Sequence, residues 1–114
     1  EVPANMVVNG DSAPPPVEMR LGVPHRLRLV NIGVAGAVRF SLRKDTTVVS
    51  WRALAKDGAD LPAAQATIRP AIQALAVGET YDFTFDPPEA GRYTLAFEVV
   101  APRGVKRHQR IDIR

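Results

Sequence analysis

A chain of 114 residues with a formal net charge of +3 has room for one hydrophobic core and little electrostatic reach. It has no cysteine, which excludes disulfides, thiolate nucleophiles and cysteine-ligated zinc or copper. No run of about 18 apolar residues is available to cross a membrane as a helix, and the fifteen basic residues form no stripe interleaved with aromatics of the kind that binds nucleic acid.

Ten prolines and eight glycines point to many turns and an all-β chain. The sequence opens at Glu1 with no visible signal peptide and no initiator methionine, the expectation for a single domain spanning 1–114 taken from a larger protein. Met6-Val7-Val8 reads as a short strand that turns at Asn9-Gly10. Asp11 to Pro16 is a stiff loop, because its prolines cannot donate to a ladder. Val17, Met19 and Leu21 then alternate with Glu18 and Arg20. After Gly22-Val23-Pro24, Leu27 and Leu29 alternate with Arg26 and Arg28, the period of a half-buried strand.

Val38, Phe40 and Leu42 mark the next strand, and Lys44 to Thr47 turns the chain. Val49, Trp51, Ala53 and Ala55 share one face of a longer strand that stops at Asp57-Gly58, a strong turn pair. Between 59 and 77, Pro62 and Pro70 bracket a stretch too short for a stable helix, so a loop is expected, with short extended pieces around Ile68 and from Gln73 to Val77. Tyr81, Phe83 and Phe85 alternate on one side of Pro87-Pro88, and Tyr93, Leu95, Phe97 and Val99 on the other. These two runs read as the arms of a central β-hairpin. Lys106 to Ile113 is the last strand. About eight short strands with regular turns predict a β-sandwich without internal repeats.

Three ordered blocks carry a family resemblance. Val8-Asn9-Gly10 is followed by Gly22-Val23-Pro24-His25-Arg26-Leu27-Arg28-Leu29-Val30-Asn31. Next comes Leu54-Ala55-Lys56-Asp57-Gly58, then Gly78-Glu79-Thr80-Tyr81-Asp82-Phe83, ending in Gly91-Arg92-Tyr93. Their order and spacing resemble a cupredoxin domain of the multicopper oxidase family. That family often has an Asn-Gly start, an Arg-x-Arg-x-x-Asn strand, an Asp-Gly turn and a Gly-x-x-Tyr-Asp strand. The resemblance covers Val8 to Val99 and implies an all-β, cupredoxin-like Greek-key sandwich.

The matched residues have structural readings. Asn9, Gly10 and Gly58 suit turns, Asn31 can bond nearby backbone where its strand ends, and Tyr93 suits a tyrosine corner that pins the Greek-key crossover. With Asp57, Gly78, Tyr81, Asp82 and Gly91 they form a structural motif and not a reaction centre. A copper-bearing member carries a His-Pro-x-His-x-His run on the strand here occupied by Val38 to Lys44, where this chain has Val38, Ser41 and Arg43. It also carries His-Cys-His where this chain has Ala96-Phe97-Glu98. A blue-copper site needs a thiolate and two imidazoles. Type 1 copper is therefore excluded by composition, and a complete trinuclear cluster needs more histidines than His25 and His108. Phe97 shares a face with Tyr93 and Leu95, so core is expected to fill the site.

No other chemistry is assembled in the sequence. Asp57 and Asp60 flank a turn without a matched base or nucleophile, there is no phosphate-binding glycine loop, and Ser12, Ser41 and Ser50 lack an elbow context. Arg103, Lys106, Arg107, His108 and Arg110 form a basic tail, read either as a charged edge strand or as a surface that docks on an acidic partner. Trp51 reads as a core anchor, with a sugar-stacking platform as the rival.

The resemblance implies a non-catalytic, copper-free domain with an architectural or assembly role, packed against neighbouring cupredoxin domains or subunits. Neither nucleic-acid binding nor membrane insertion is expected. No cofactor is expected in this domain; the resemblance implies copper only in the parent, an oxidoreductase expected in the periplasm or outside the cell. Two alternatives stay open: an immunoglobulin- or fibronectin-like adhesion or carbohydrate-binding module, and a domain lending a residue such as His108 to an interdomain copper site.

Overall fold

The computed structural model describes residues 15–32, 36–99 and 106–114. The expected strand at Met6 to Val8, the Asn9-Gly10 turn and Arg103 lie outside them. The described residues form eleven strands in two sheets, because the 59–77 region and the turns add pieces of two to four residues to the longer strands read from the sequence.

The larger sheet contains β1 (Val17–Met19), β3 (Val38–Lys44), β4 (Thr47–Val48), β8 (Ile72–Leu75), β10 (Gly91–Val99) and β11 (Lys106–Ile113). Its order is β1-β11-β10-β3-β4, with β8 also paired to β3. β1 runs parallel to β11, and the other pairs are antiparallel. The second sheet contains β2 (His25–Val30), β5 (Ser50–Lys56), β6 (Ala59–Asp60), β7 (Ile68–Pro70) and β9 (Thr80–Phe85), in the order β2-β9-β5-β6 with β7 paired to β5.

The expected central hairpin is not formed. β9 pairs with β2 and β5, whereas β10 pairs with β3 and β11 in the other sheet, so Asp86 to Ala90 is a crossover. The reason is physical. Two strands that each carry an aromatic face bury more of it facing one another across a core than lying side by side, and a Pro-Pro link cannot continue a hairpin ladder. The rings of Phe85 on β9 and Tyr93 on β10 accordingly meet between the sheets, centroids 5.7 Å apart.

The core follows the alternation. Trp51, Ala53, Phe83, Phe85, Tyr93 and Leu42 are all buried. Phe83 stacks on Trp51 at 4.0 Å and on Tyr81 at 4.7 Å. Trp51 is only 2% exposed, which removes the sugar-platform reading and the main support for a carbohydrate-binding module. The described residues include no helix long and apolar enough to cross a membrane.

Candidate interaction face

β3 and β10 are adjacent, with Phe40 opposite Phe97. Their rings meet edge to face at 5.3 Å, and Leu42 and Leu95 continue the same buried row. Phe97, at the place the resemblance gives to the cysteine, is therefore packed in the core, whereas Ser41, Arg43, Ala96 and Glu98, at histidine places, line the outer face of the sheet. Among the described residues, no group of three His, Cys, Asp or Glu side chains is placed to hold a metal ion.

Of the motif residues, Asn31, Asp57, Gly58 and Gly78 gather at one end of the sandwich, where they hold the chain together, whereas Gly91 and Tyr93 lie at the crossover and Asn9 and Gly10 outside the described residues. Asp57 and Gly58 have φ of 51° and 81°, the paired left-handed conformations of a tight hairpin turn between β5 and β6. The Asp57 and Thr80 backbones meet where the Asp57 N–H donates to the Thr80 carbonyl at 3.0 Å, and Asp57 Oδ1 accepts the Thr80 N–H at 2.9 Å. Lys56 Nζ bridges Glu79 Oε2 at 2.6 Å and Asp57 Oδ2 at 3.2 Å, and Glu79 Oε1 accepts the Ala76 N–H. The Thr80 N–H and then Lys56 lower the Asp57 pKa, and Lys56 with the Ala76 N–H lowers that of Glu79. Both acids are thus held as carboxylates, the wrong state for general acids. Asn31 Nδ2 donates to the carbonyls of Leu75 and Gly36, and the Asn31 carbonyl accepts the Gly78 N–H at 2.7 Å.

The crossover has its own clamp. The Tyr93 hydroxyl donates to the Glu89 carbonyl at 2.8 Å, and Lys44 Nζ reaches the Glu89 carboxylate at 3.2 Å. Gly91, with φ of 139°, packs where a Cβ would lie 3.1 Å from Lys44 Cε. Tyr93→Phe is expected to lower stability by about 1 kcal/mol, the net worth of a hydrogen bond whose acceptor stays near water. Urea unfolding of the two proteins measures it, and identical midpoints would remove the clamp's energetic role.

Asp82 sits on the outer side of β9 with its side chain only 5% exposed. Arg26 donates to Asp82 Oδ2 through Nε and Nη2 at 2.8 and 2.6 Å, and Arg28 reaches the same oxygen at 3.1 Å. The Arg-x-Arg and Tyr-Asp segments of the resemblance are therefore one ion cluster, assembled because β2 and β9 are neighbours.

The basic tail is divided by strand alternation. Lys106, His108 and Arg110 face outward from β11, whereas Arg107 lies on the alternate side and donates to the Lys106 carbonyl. His25, at the far end of β2, accepts the Arg20 N–H at its Nε2. On the outer face of the larger sheet, β3 and β10 add Arg39, Ser41, Arg43, Arg92, Thr94 and Glu98, and together these line a shallow groove of about 610 Å³. The register arranges it in rows across β3, β10 and β11: Arg39–Glu98–Lys106, Ser41–Ala96–His108 and Arg43–Thr94–Arg110. Glu98 pairs with Arg39 at 3.8 Å and Lys106 at 3.4 Å, and Arg110 Nε donates to Asp112 at 2.9 Å. Sequence reasoning missed Arg39, Arg43 and Arg92. Their alternation with Phe40, Leu42 and Tyr93 was visible, but only the strand order brings them beside the tail.

An all-β two-sheet sandwich with this crossover belongs to the cupredoxin-like fold class, as found in multicopper oxidases. The solved laccase-like multicopper oxidase CueO from the lignin-degrading bacterium Ochrobactrum sp. matches 97% of this chain and 23% of its own length, with TM-score 0.71 and 21% identity. The blue copper oxidase from Nitrosomonas europaea matches 86% of this chain and 30% of its own, with TM-score 0.65 and 19% identity. Another multicopper oxidase matches 87% of this chain and 32% of its own, with TM-score 0.64 and 12% identity. The chain thus spans less than a third of the length of each of these oxidases. At such identities the likeness is one of fold. No protein-family model and no curated protein matches the sequence.

Proposed function

We propose that this chain is a copper-free, architectural domain of a larger multicopper-oxidase-like protein, packed against neighbouring cupredoxin domains or subunits. The observation that supports this reading is the set of side chains at the ligand places: Phe97 packs on Phe40 where a thiolate would stand, and Ser41, Arg43, Ala96 and Glu98 offer no imidazole. The domain is proposed to have no activity of its own. Oxidase chemistry and copper belong to the parent, which is proposed to be exported, periplasmic or extracellular, on the resemblance alone.

Copper loading followed by desalting and elemental analysis tests the reading. The expected result is no retained copper above that of a copper-free control protein and no blue absorption. One tightly held copper per chain would overturn it. The rival in which this domain completes an interdomain copper site rests on His108, exposed on the groove. It predicts that His108→Ala lowers the copper content of the full parent protein, whereas the architectural reading predicts no change.

A further inference from the structure

We propose that the ribbon from Ile68 to Val77, which carries β7 and β8 round one corner of the sandwich, is the apolar face against which a neighbouring domain of the same parent chain packs. This rests on the architectural reading and names the surface and the chemistry of that packing.

The ribbon passes from one sheet to the other, β7 pairing with β5 and β8 with β3. At the join the Ala71 N–H donates to the Val49 carbonyl, and the Ala71 carbonyl accepts the Leu42 N–H. Alternation holds throughout. Ala71 and Leu75 are buried, whereas Ile68, Pro70, Ile72 and Ala74 are exposed. The outward row of a solvated strand ordinarily carries polar groups, and this one carries none. Between Asp60 and Glu79, eighteen residues hold one charged side chain, Arg69, in a chain whose charged content is 24%. The Arg69 guanidinium is turned away from the row, onto the Gln65 carbonyl at 2.7 Å and the Tyr81 hydroxyl. The row ends on further hydrocarbon. The Asn31 carbonyl accepts the Gly78 N–H, which joins the peptide groups that follow Asn31 and Val77, and Ile32 and Val77 are 85% and 52% exposed there. Arg52 stands opposite Ile68 and Arg39 opposite Ala74. Large apolar side chains without charge, bordered by arginines, have the composition of an interface core and its rim.

The same face selects its occupant. The Thr67 carbonyl accepts the Ala53 N–H, so with Ala71 the odd-numbered peptides face the paired edge. The N–H groups of Ile68, Ile72 and Ala74 therefore point to the other edge, where neither β7 nor β8 has a neighbour among the described residues. Pro70 lies between them and has no N–H, so an added strand meets a gap, and the partner is read through side chains. Size separates a tethered domain from a free partner. Eight residues of strand make a strip about 26 Å long and about 10 Å wide, roughly 260 Å². Stable complexes of free proteins bury about 800 Å² a side, whereas packed domains of one chain hold with as little as roughly 300 Å² a side, because the link keeps them together. A second copy of this chain has no such link. The chain spans less than a third of each matched oxidase, so the architectural reading supplies a tethered neighbour.

Hydrogen exchange followed by mass spectrometry, on the isolated chain and on the full parent protein, tests this. The amides of Ile68, Ile72 and Ala74 should exchange fast in the isolated chain and at least about tenfold more slowly in the parent. Ile68→Asp should abolish that slowing in the parent. In the isolated chain it should leave the urea midpoint unchanged, because the side chain is already 63% exposed. If Ile68→Asp does not fold, Ala74→Asp takes its place, with the same expected loss. Val23→Asp, at a comparably exposed apolar residue in the turn before β2, should keep the slowing. Equal exchange in the two proteins would overturn the proposal. So would slowing in the isolated chain that grows with its concentration, which assigns the face to a second copy, or slowing by neutral lipid vesicles, which assigns it to a lipid surface. Slowing in the parent at other surfaces of the domain but not here defeats this face and leaves the architectural reading standing. Slowing nowhere on the domain, or copper retained by the isolated chain, defeats that reading itself.

Discussion

Phe83→Ala is expected to cost about 3–5 kcal/mol, the usual range for emptying a buried aromatic site. Phe83 is fully buried and lies between two rings, Trp51 at 4.0 Å and Tyr81 at 4.7 Å. Removing it deletes both stacking contacts and leaves a cavity between rigid neighbours that cannot collapse far. A domain of this size has about 5–15 kcal/mol of total stability, so the variant should be marginal or unfolded. The chain has one tryptophan, and it belongs to the stack, so its fluorescence reports the loss directly in urea titrations. Phe83→Leu, which keeps much of the volume, should recover a large part of the loss. A Phe83→Ala protein within about 1 kcal/mol of wild type would mean that the stack is not the centre of the core.

Asp82→Asn is expected to cost about 2 kcal/mol at neutral pH and almost nothing in acid. Hydrogen bonds to a charged group contribute about 1.5–3 kcal/mol net, and the lower half of that range applies because Arg26 and Arg28 are themselves more than half exposed. Burial pushes the Asp82 carboxyl up, but Arg28 and Arg26 together more than offset this and hold its pKa below the ordinary aspartate value. On acidification the unfolded chain therefore takes up this proton first. The stabilisation is fully present above about pH 4, where the unfolded Asp is ionised, and is lost as pH falls through the lower folded-state pKa. Urea midpoints of wild type and Asp82→Asn should thus diverge at neutral pH and converge in acid. A constant gap would assign the effect to packing of the carboxyl group and not to its charge.

The two variants probe different parts of one strand, and their legibility differed. That Tyr81, Phe83 and Phe85 would be buried together followed from alternation alone. That Asp82, on the opposite face, would also be buried did not, because a period-two pattern assigns it to solvent. Its shelter comes from the arginines of β2, a strand more than fifty residues earlier in the chain. The candidate face was half legible for a related reason. Lys106, His108 and Arg110 formed a visible basic run, but Arg107 does not belong with them, and Arg39, Arg43 and Arg92 join them only through the β11-β10-β3 order.

The sequence by itself determined the strand-forming segments, the sandwich class, the Asp57-Gly58 turn and the lack of a thiolate for blue copper. Each of these follows from local alternation, turn chemistry or composition, and none depends on a distant partner. Only the tertiary structure decided which strands are neighbours. It placed the two aromatic runs in opposite sheets, made the Pro87-Pro88 link a crossover, and gathered arginines from three strands around Thr94. Side-chain period marks which face of a strand is apolar, but sheet order depends on how those faces bury one another across the core, a property of the whole chain.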